Sequence, residues 1–154
     1  MKVLIGVDDS AHAEKTLEFV RAMSWPANTA FVVASAVPPP FAAYSDNYAP
    51  VAMDMGVWLE ELTKLHEDLA ARGARKLADA GLHSQGRVLQ GDPREALVEE
   101  SKKEDVDLIV VGSHGRTGFE KLLMGSVATH VVTHAPCNVL VVKRGVLGGR
   151  AQLA

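Results

Sequence analysis

The residues with the clearest chemical potential lie around a run of glycines at positions 112, 115, 118 and 125, followed at once by Ser126. Before them stands Leu108-Ile109-Val110-Val111, an apolar and largely β-branched run that suits a strand buried on both faces of a parallel sheet. From Ser126 onward the residues take helical spacing. A strand, a glycine loop and a helix start form an arrangement that binds phosphate. Missing side chains let backbone N–H groups approach an anion, a serine adds its hydroxyl, and the helix start presents unpaired donors at its positive dipole end. His114 and Arg116 lie inside the loop, and Lys121 follows. A turn or a helix start explains any one of these glycines; four of them with Ser126 between a strand and a helix favour the anion site.

Two familiar phosphate loops do not match. A P-loop requires Gly-Lys before Ser or Thr, and the chain contains no Gly-Lys pair. The Gly-x-Gly-x-x-Gly fingerprint of dinucleotide sites is missing after the first strand. Catalytic patterns fail similarly. Ser113 would need a glycine at 111 to stand in a nucleophile elbow, and Val111 is there instead. His130 and His134 stand one helical turn apart with Cys137 beyond, but no glutamate follows His130 as a zinc-protease helix requires. No metal site is expected from them. His12, His66 and His83 read as ordinary surface or helix residues.

The elements that must position the loop can be read in order. Val3 to Val7 forms a first buried strand, ended by Asp8-Asp9-Ser10, where Asp9 or Ser10 caps a helix with Ala13, Leu17, Val20 and Ser24 on one face. A second strand runs from Thr29 to Val37 and stops at Pro38-Pro39-Pro40. Pro38 to about Gly56 reads as a long loop or lid. A helix from Trp58 to Ala80 follows, with Leu62, Leu65, Leu69 and Leu77 among its apolar positions and Gly81 at its close. Ser84 to Leu89 is a third, more polar strand near an edge. Asp92-Pro93 starts the third helix. Leu108 to Val111 is the fourth strand, Ser126 to about His134 the fourth helix, and Asn138 to Val142 the fifth strand.

Strands alternating with helices predict a doubly wound five-stranded parallel sheet, Rossmann-like, with helices on both faces. Order 3-2-1-4-5 would put Asp8 and the Gly112 loop on facing sides of the crevice where the winding reverses, the usual ligand position. The expected organisation is one domain over residues 1–144 with a Gly-rich tail over 145–154.

Composition excludes several classes. With 16 basic and 19 acidic residues the net charge is −3, and no basic cluster suggests nucleic acid. Asp8 interrupts the N-terminal apolar run too early for a signal peptide, and no stretch approaches the roughly 20 apolar residues of a membrane span. Cys137 is the single cysteine, which fits a reducing compartment. A soluble cytoplasmic protein is expected.

From Val3 to Val142 the chain resembles the universal stress protein family, in its ATP-binding branch. The matching pieces are Val7-Asp8-x-Ser10, Gly91-Asp92-Pro93, and Gly112-x2-Gly115-x9-Gly125-Ser126. The resemblance implies ATP, with Mg2+, as the ligand. It implies that Asp8 contacts the ribose or the metal shell beside the phosphates, and that the strand 2 end near Ala36 offers main-chain groups to adenine. Gly112 would lie against the ribose, while Gly115, Gly125, Ser126 and Val127 would contact phosphate. The chemistry of the loop residues themselves would let Arg116 or Lys121 add charge and His114 hydrogen-bond phosphate. The family is similar in dimerising through its last strand, here Asn138 to Val142, which would form an apolar sheet edge.

The expected function is a cytoplasmic regulatory module whose dimer changes state or partner affinity on binding ATP. The alternatives are a slow ATP hydrolase and a nucleotide-independent protein-interaction module. Fast phosphoryl transfer is not expected, because neither a P-loop lysine nor an obvious water-activating residue accompanies the loop.

Overall fold

The computed structural model describes residues 1–39, 55–115 and 124–143. Its elements in chain order are β1 (Lys2–Gly6), α1 (Ala11–Ala22), β2 (Ala30–Val37), α2 (Met55–Ala78), β3 (His83–Gln90), α3 (Pro93–Lys103), β4 (Leu108–Gly112), α4 (Ser126–His134) and β5 (Asn138–Val142). The five strands form one parallel sheet in the order β3-β2-β1-β4-β5. The expected fold class and strand order are therefore observed.

The continuous apolar runs serve two cores at once, because successive side chains in a strand point to opposite faces. Val3, Ile5, Phe31, Val33 and Val110 join Leu17 and Val20 of α1 and Ala74 and Leu77 of α2. Leu4, Val32, Ala34, Ile109 and Val111 join Leu97 and Val98 of α3 and Ala128 and Val131 of α4. Helices thus cover both faces.

Local chemistry sets the helix ends. Ser10 caps α1, its Oγ accepting from Ala13 N at 3.2 Å. That helix stops at Ala22, so Ser24 lies beyond it and is exposed; the fully buried polar residue on its inner face is Thr16. α2 closes at Gly81, whose φ of +81° lets Leu82 N return to the Leu77 carbonyl at 3.1 Å. Asp92 caps α3, accepting from Arg94 N at 2.9 Å, with Pro93 as the first helical residue.

Two departures occur on α2. It begins at Met55, so the loop expected over Pro38 to Gly56 ends sooner than read, and residues 40–54 lie outside the described residues. Leu65 is 45% exposed, whereas His66, read as an ordinary helix residue, is 5% exposed. Gly86 on β3 explains how α2 sits so close: a Cβ there would stand 2.8 Å from the Ala70 carbonyl carbon and 2.9 Å from Ala71 N. β3 is an edge strand, as expected, and Arg87 ties it to α3 by donating to Glu100 and Glu104. β5 is the other edge. The tail over 145–154 lies outside the described residues, and among those described no helix is long and apolar enough to cross a membrane.

Candidate functional site

β1 and β4 are neighbours at the point where the winding reverses, so the loops leaving their C-terminal ends meet. Asp8, just past β1, accepts through Oδ1 from Ser10 N at 3.0 Å and from the Ser10 hydroxyl. The other carboxylate oxygen faces the β4 loop so closely that a Cβ on Gly115 would lie 2.8 Å from it. Gly125 packs against the same loop. Its N–H donates to the Ser113 carbonyl at 2.7 Å, and a Cβ would meet both His114 Cα and Ser113 O at 3.2 Å. Gly112 presses on α1, where a Cβ would stand 3.2 Å from Thr16 Oγ1 and 3.3 Å from His12 Cβ.

These three glycines therefore let the β1 turn, the β4 loop and the α4 start close on one another. They shape the crevice by what they leave out, and the Gly125 amide is already engaged within it. The donors left at the mouth belong to α4. Its N-cap is Gly125, no side chain among the described residues caps it, and no acidic residue stands in its first turn. The first N–H groups of a helix have no partner within it, so Ser126 and Val127 present amides, and Ser126 a hydroxyl, at the positive dipole end. Ser126 is exposed and Val127 half-buried.

Ala36 stands on the opposite wall. In β2 the N–H of Ala30 donates to Met1 O and the carbonyl of Ala34 accepts from Val7 N, each at 2.9 Å, whereas the carbonyl of Val37 accepts from Gly91 N beyond β3. Main-chain groups alternate sides along a strand, so even-numbered residues of β2 address β1. β1 has ended at Gly6, which pairs with Ala34. The N–H and C=O of Ala36 consequently open on the space past the β1 end, beside Asp8.

The structure also brings in a residue that sequence reasoning set aside. The His12 ring lies 5.4 Å from the His114 ring, tilted by 45°. Ser113 Oγ sits 3.1 Å from His114 Nδ1. His12 occupies the first turn of α1, a place whose neighbours depend on a loop a hundred residues away, and no local pattern records that. Arg116, like Gly118 and Lys121, lies outside the described residues.

Ser113 is 2% exposed, its N–H donating to Val142 O at 2.8 Å. His130 and His134 stack with centroids 4.1 Å apart, and His134 Nδ1 lies 2.9 Å from the His130 carbonyl. Among the described residues no group of three or more His, Cys, Asp or Glu side chains is placed to hold a metal ion. Burial pushes the Cys137 thiol above its ordinary pKa.

The sheet order and the glycine loop at its reversal point define a doubly wound, Rossmann-like α/β protein. Residues 1–143 match the model of the universal stress protein family, and the chain belongs to that family. It is 30% identical over 144 residues to a Thermus aquaticus universal stress protein, covering 92% of this chain and 97% of the relative. It is 40% identical over 92 residues to universal stress protein MJ0531 of Methanocaldococcus jannaschii, covering 58% of this chain and 54% of the relative. A second relative from that organism, MJ0577, is 39% identical over 70 residues, covering 46% of this chain and 43% of the relative. The matched segments thus span about half of those two archaeal proteins. The solved structure of MJ0577 superposes with a TM-score of 0.75 at 26% identity, covering 93% of this chain and 95% of that one.

Proposed function

We propose that this protein binds an adenine nucleotide, ATP with Mg2+, in the crevice between the β2 end and the α4 start. The observation that carries the reading is the start of α4, which no side chain among the described residues caps and which has no acidic residue in its first turn, across from main-chain groups of Ala36 that lie past the end of β1. A nucleotide has the complementary ends: a base edge that pairs with one N–H and one C=O, and an anionic tail that suits helix amides. Asp8, between them, would meet the ribose hydroxyls or the outer shell of a phosphate-bound Mg2+. The Ser126 and Val127 amides, the Ser126 hydroxyl and His114 would hold phosphate; Gly112, Gly115 and Gly125 keep the cradle narrow, and Arg116 would add charge. Three solved proteins of this fold support the ligand class: a universal stress protein in complex with cAMP at 24% identity, an Arabidopsis thaliana one with AMP bound at 18%, and an Archaeoglobus fulgidus one in complex with dAMP at 19%.

The role that fits is regulatory: a cytoplasmic homodimer, paired through the β5 edge, whose state or partner affinity shifts on binding. Calorimetric titration with ATP, beside steady-state hydrolysis, tests it. Saturable binding with turnover well below about 1 per second supports the module, and absence of any adenine-nucleotide binding sinks it. Mass spectrometry of gently purified protein should find the nucleotide carried along.

A further inference from the structure

His66 lies on α2, buried at 5% exposure, and takes no part in the cradle described above. Its Nδ1 sits 2.8 Å from Ser35 Oγ, and that hydroxyl lies 3.0 Å from the Val7 carbonyl oxygen. A serine hydroxyl carries one proton. If the proton turned to His66, the Val7 carbonyl would lose this donor. If it turns to Val7, the imidazole must supply the other hydrogen bond from Nδ1–H. The second arrangement satisfies all three atoms, and leaving a polar group unsatisfied away from water is costly.

The location gives this hydrogen-bond chain a consequence. Val7 immediately precedes Asp8, and Ser35 immediately precedes Ala36. We propose that His66, carrying its proton on Nδ1, is a positioning residue that aims the Ser35 hydroxyl at the Val7 carbonyl and so clamps the β1 end to the β2 end. One imidazole from α2 thereby sets the spacing between the Ala36 main chain and the Asp8 carboxylate, the two groups that would meet base and ribose. Its bearing on ligand binding rests on the nucleotide reading above.

Two measurements test it. In ligand-free full-length protein with 15N-labelled histidine, long-range proton–nitrogen NMR should show His66 protonated at Nδ1; a bare Nδ1 overturns the proposal. In ATP titrations, His66→Ala should weaken binding about tenfold, whereas His66→Asn, whose amide donor falls near the place of Nδ1, should recover binding to within about threefold of the parent. Wild-type affinity in His66→Ala, or no recovery in His66→Asn, overturns it. If His66→Ala fails to fold, Ser35→Ala, which removes one hydroxyl, replaces it with the same tenfold expectation. A parent protein that binds no adenine nucleotide would defeat the nucleotide reading, while the tautomer measurement, made without ligand, still decides the clamp.

Discussion

The carboxylate of Asp8 and the backbone of Gly115 are in such close contact that a single methyl group on residue 115 would lie 2.8 Å from Oδ2. Two loops separated by more than a hundred residues meet there, and they approach this closely because one of them has no side chain. Any residue larger than glycine at 115 must push Asp8 away or open the loop.

Gly115→Val combined with Gly125→Val should therefore abolish ATP binding. The second substitution drives a side chain into the 113–114 backbone, where a Cβ alone stands 3.2 Å from two atoms. The sheet and its two cores do not involve these positions, so the far-ultraviolet circular dichroism spectrum should stay near that of the parent. Calorimetry with ATP reads the first effect, and unchanged affinity would remove the cradle.

Gly86→Ala tests the fold away from the site. Its Cβ would collide with the α2 main chain at 2.8 to 2.9 Å, and a helix backbone cannot rotate aside as a side chain can. The expected loss is about 1–3 kcal/mol, the range for overpacking a well-packed interface. Urea unfolding followed by circular dichroism measures it; a loss near zero would mean that α2 can slide on the sheet.

Asp92 links stability to pH. Hydrogen bonds from the Arg94 guanidinium, aided by the Arg94 N–H, hold its carboxyl below the ordinary aspartate pKa. A carboxylate depressed in the folded state contributes stability above its unfolded pKa and loses it as pH falls through the folded value. Asp92→Ala should cost about 1 kcal/mol as a lost N-cap at about pH 7, and the gap from the parent should close as the pH falls below the ordinary aspartate range. Urea unfolding of both proteins across that range checks the sign.

Val141→Pro addresses the dimer. Val142 O accepts from Ser113 N on the β4 side, so by alternation the main-chain groups of Val139 and Val141 face outward from the sheet edge. Proline at 141 removes an outward N–H and leaves the β4 ladder intact. Sedimentation velocity should show the mutant as a monomer beside a dimeric parent; a dimeric mutant would place the interface elsewhere.

Much of the fold was legible because its signals are local. The Asp92-Pro93 helix start, the Gly81 stop, the bounds of Asn138–Val142 and the paired apolar runs all depend on residues within a few positions of one another. The alternation of strands and helices then left a doubly wound sheet as the natural solution, since right-handed crossovers must cover both faces. The apolar run ending at Gly112 and the serine at 126 likewise marked the end of β4 and the start of α4.

The tertiary structure alone decided what those residues touch. The Gly125 amide is bound to Ser113, and the missing side chain of Gly112 faces α1. His66 shares the inner stripe of α2 with Ala70, Ala74 and Leu77, a spacing visible in the sequence, but a polar residue in that stripe is legible as buried only once Ser35 is known to meet it. His12 and His114 come together through the pairing of β1 with β4. Periodicity records which face of an element turns inward. The partner that the face meets is set by the order and register of strands far apart in the chain, and that is a property of the assembled sheet.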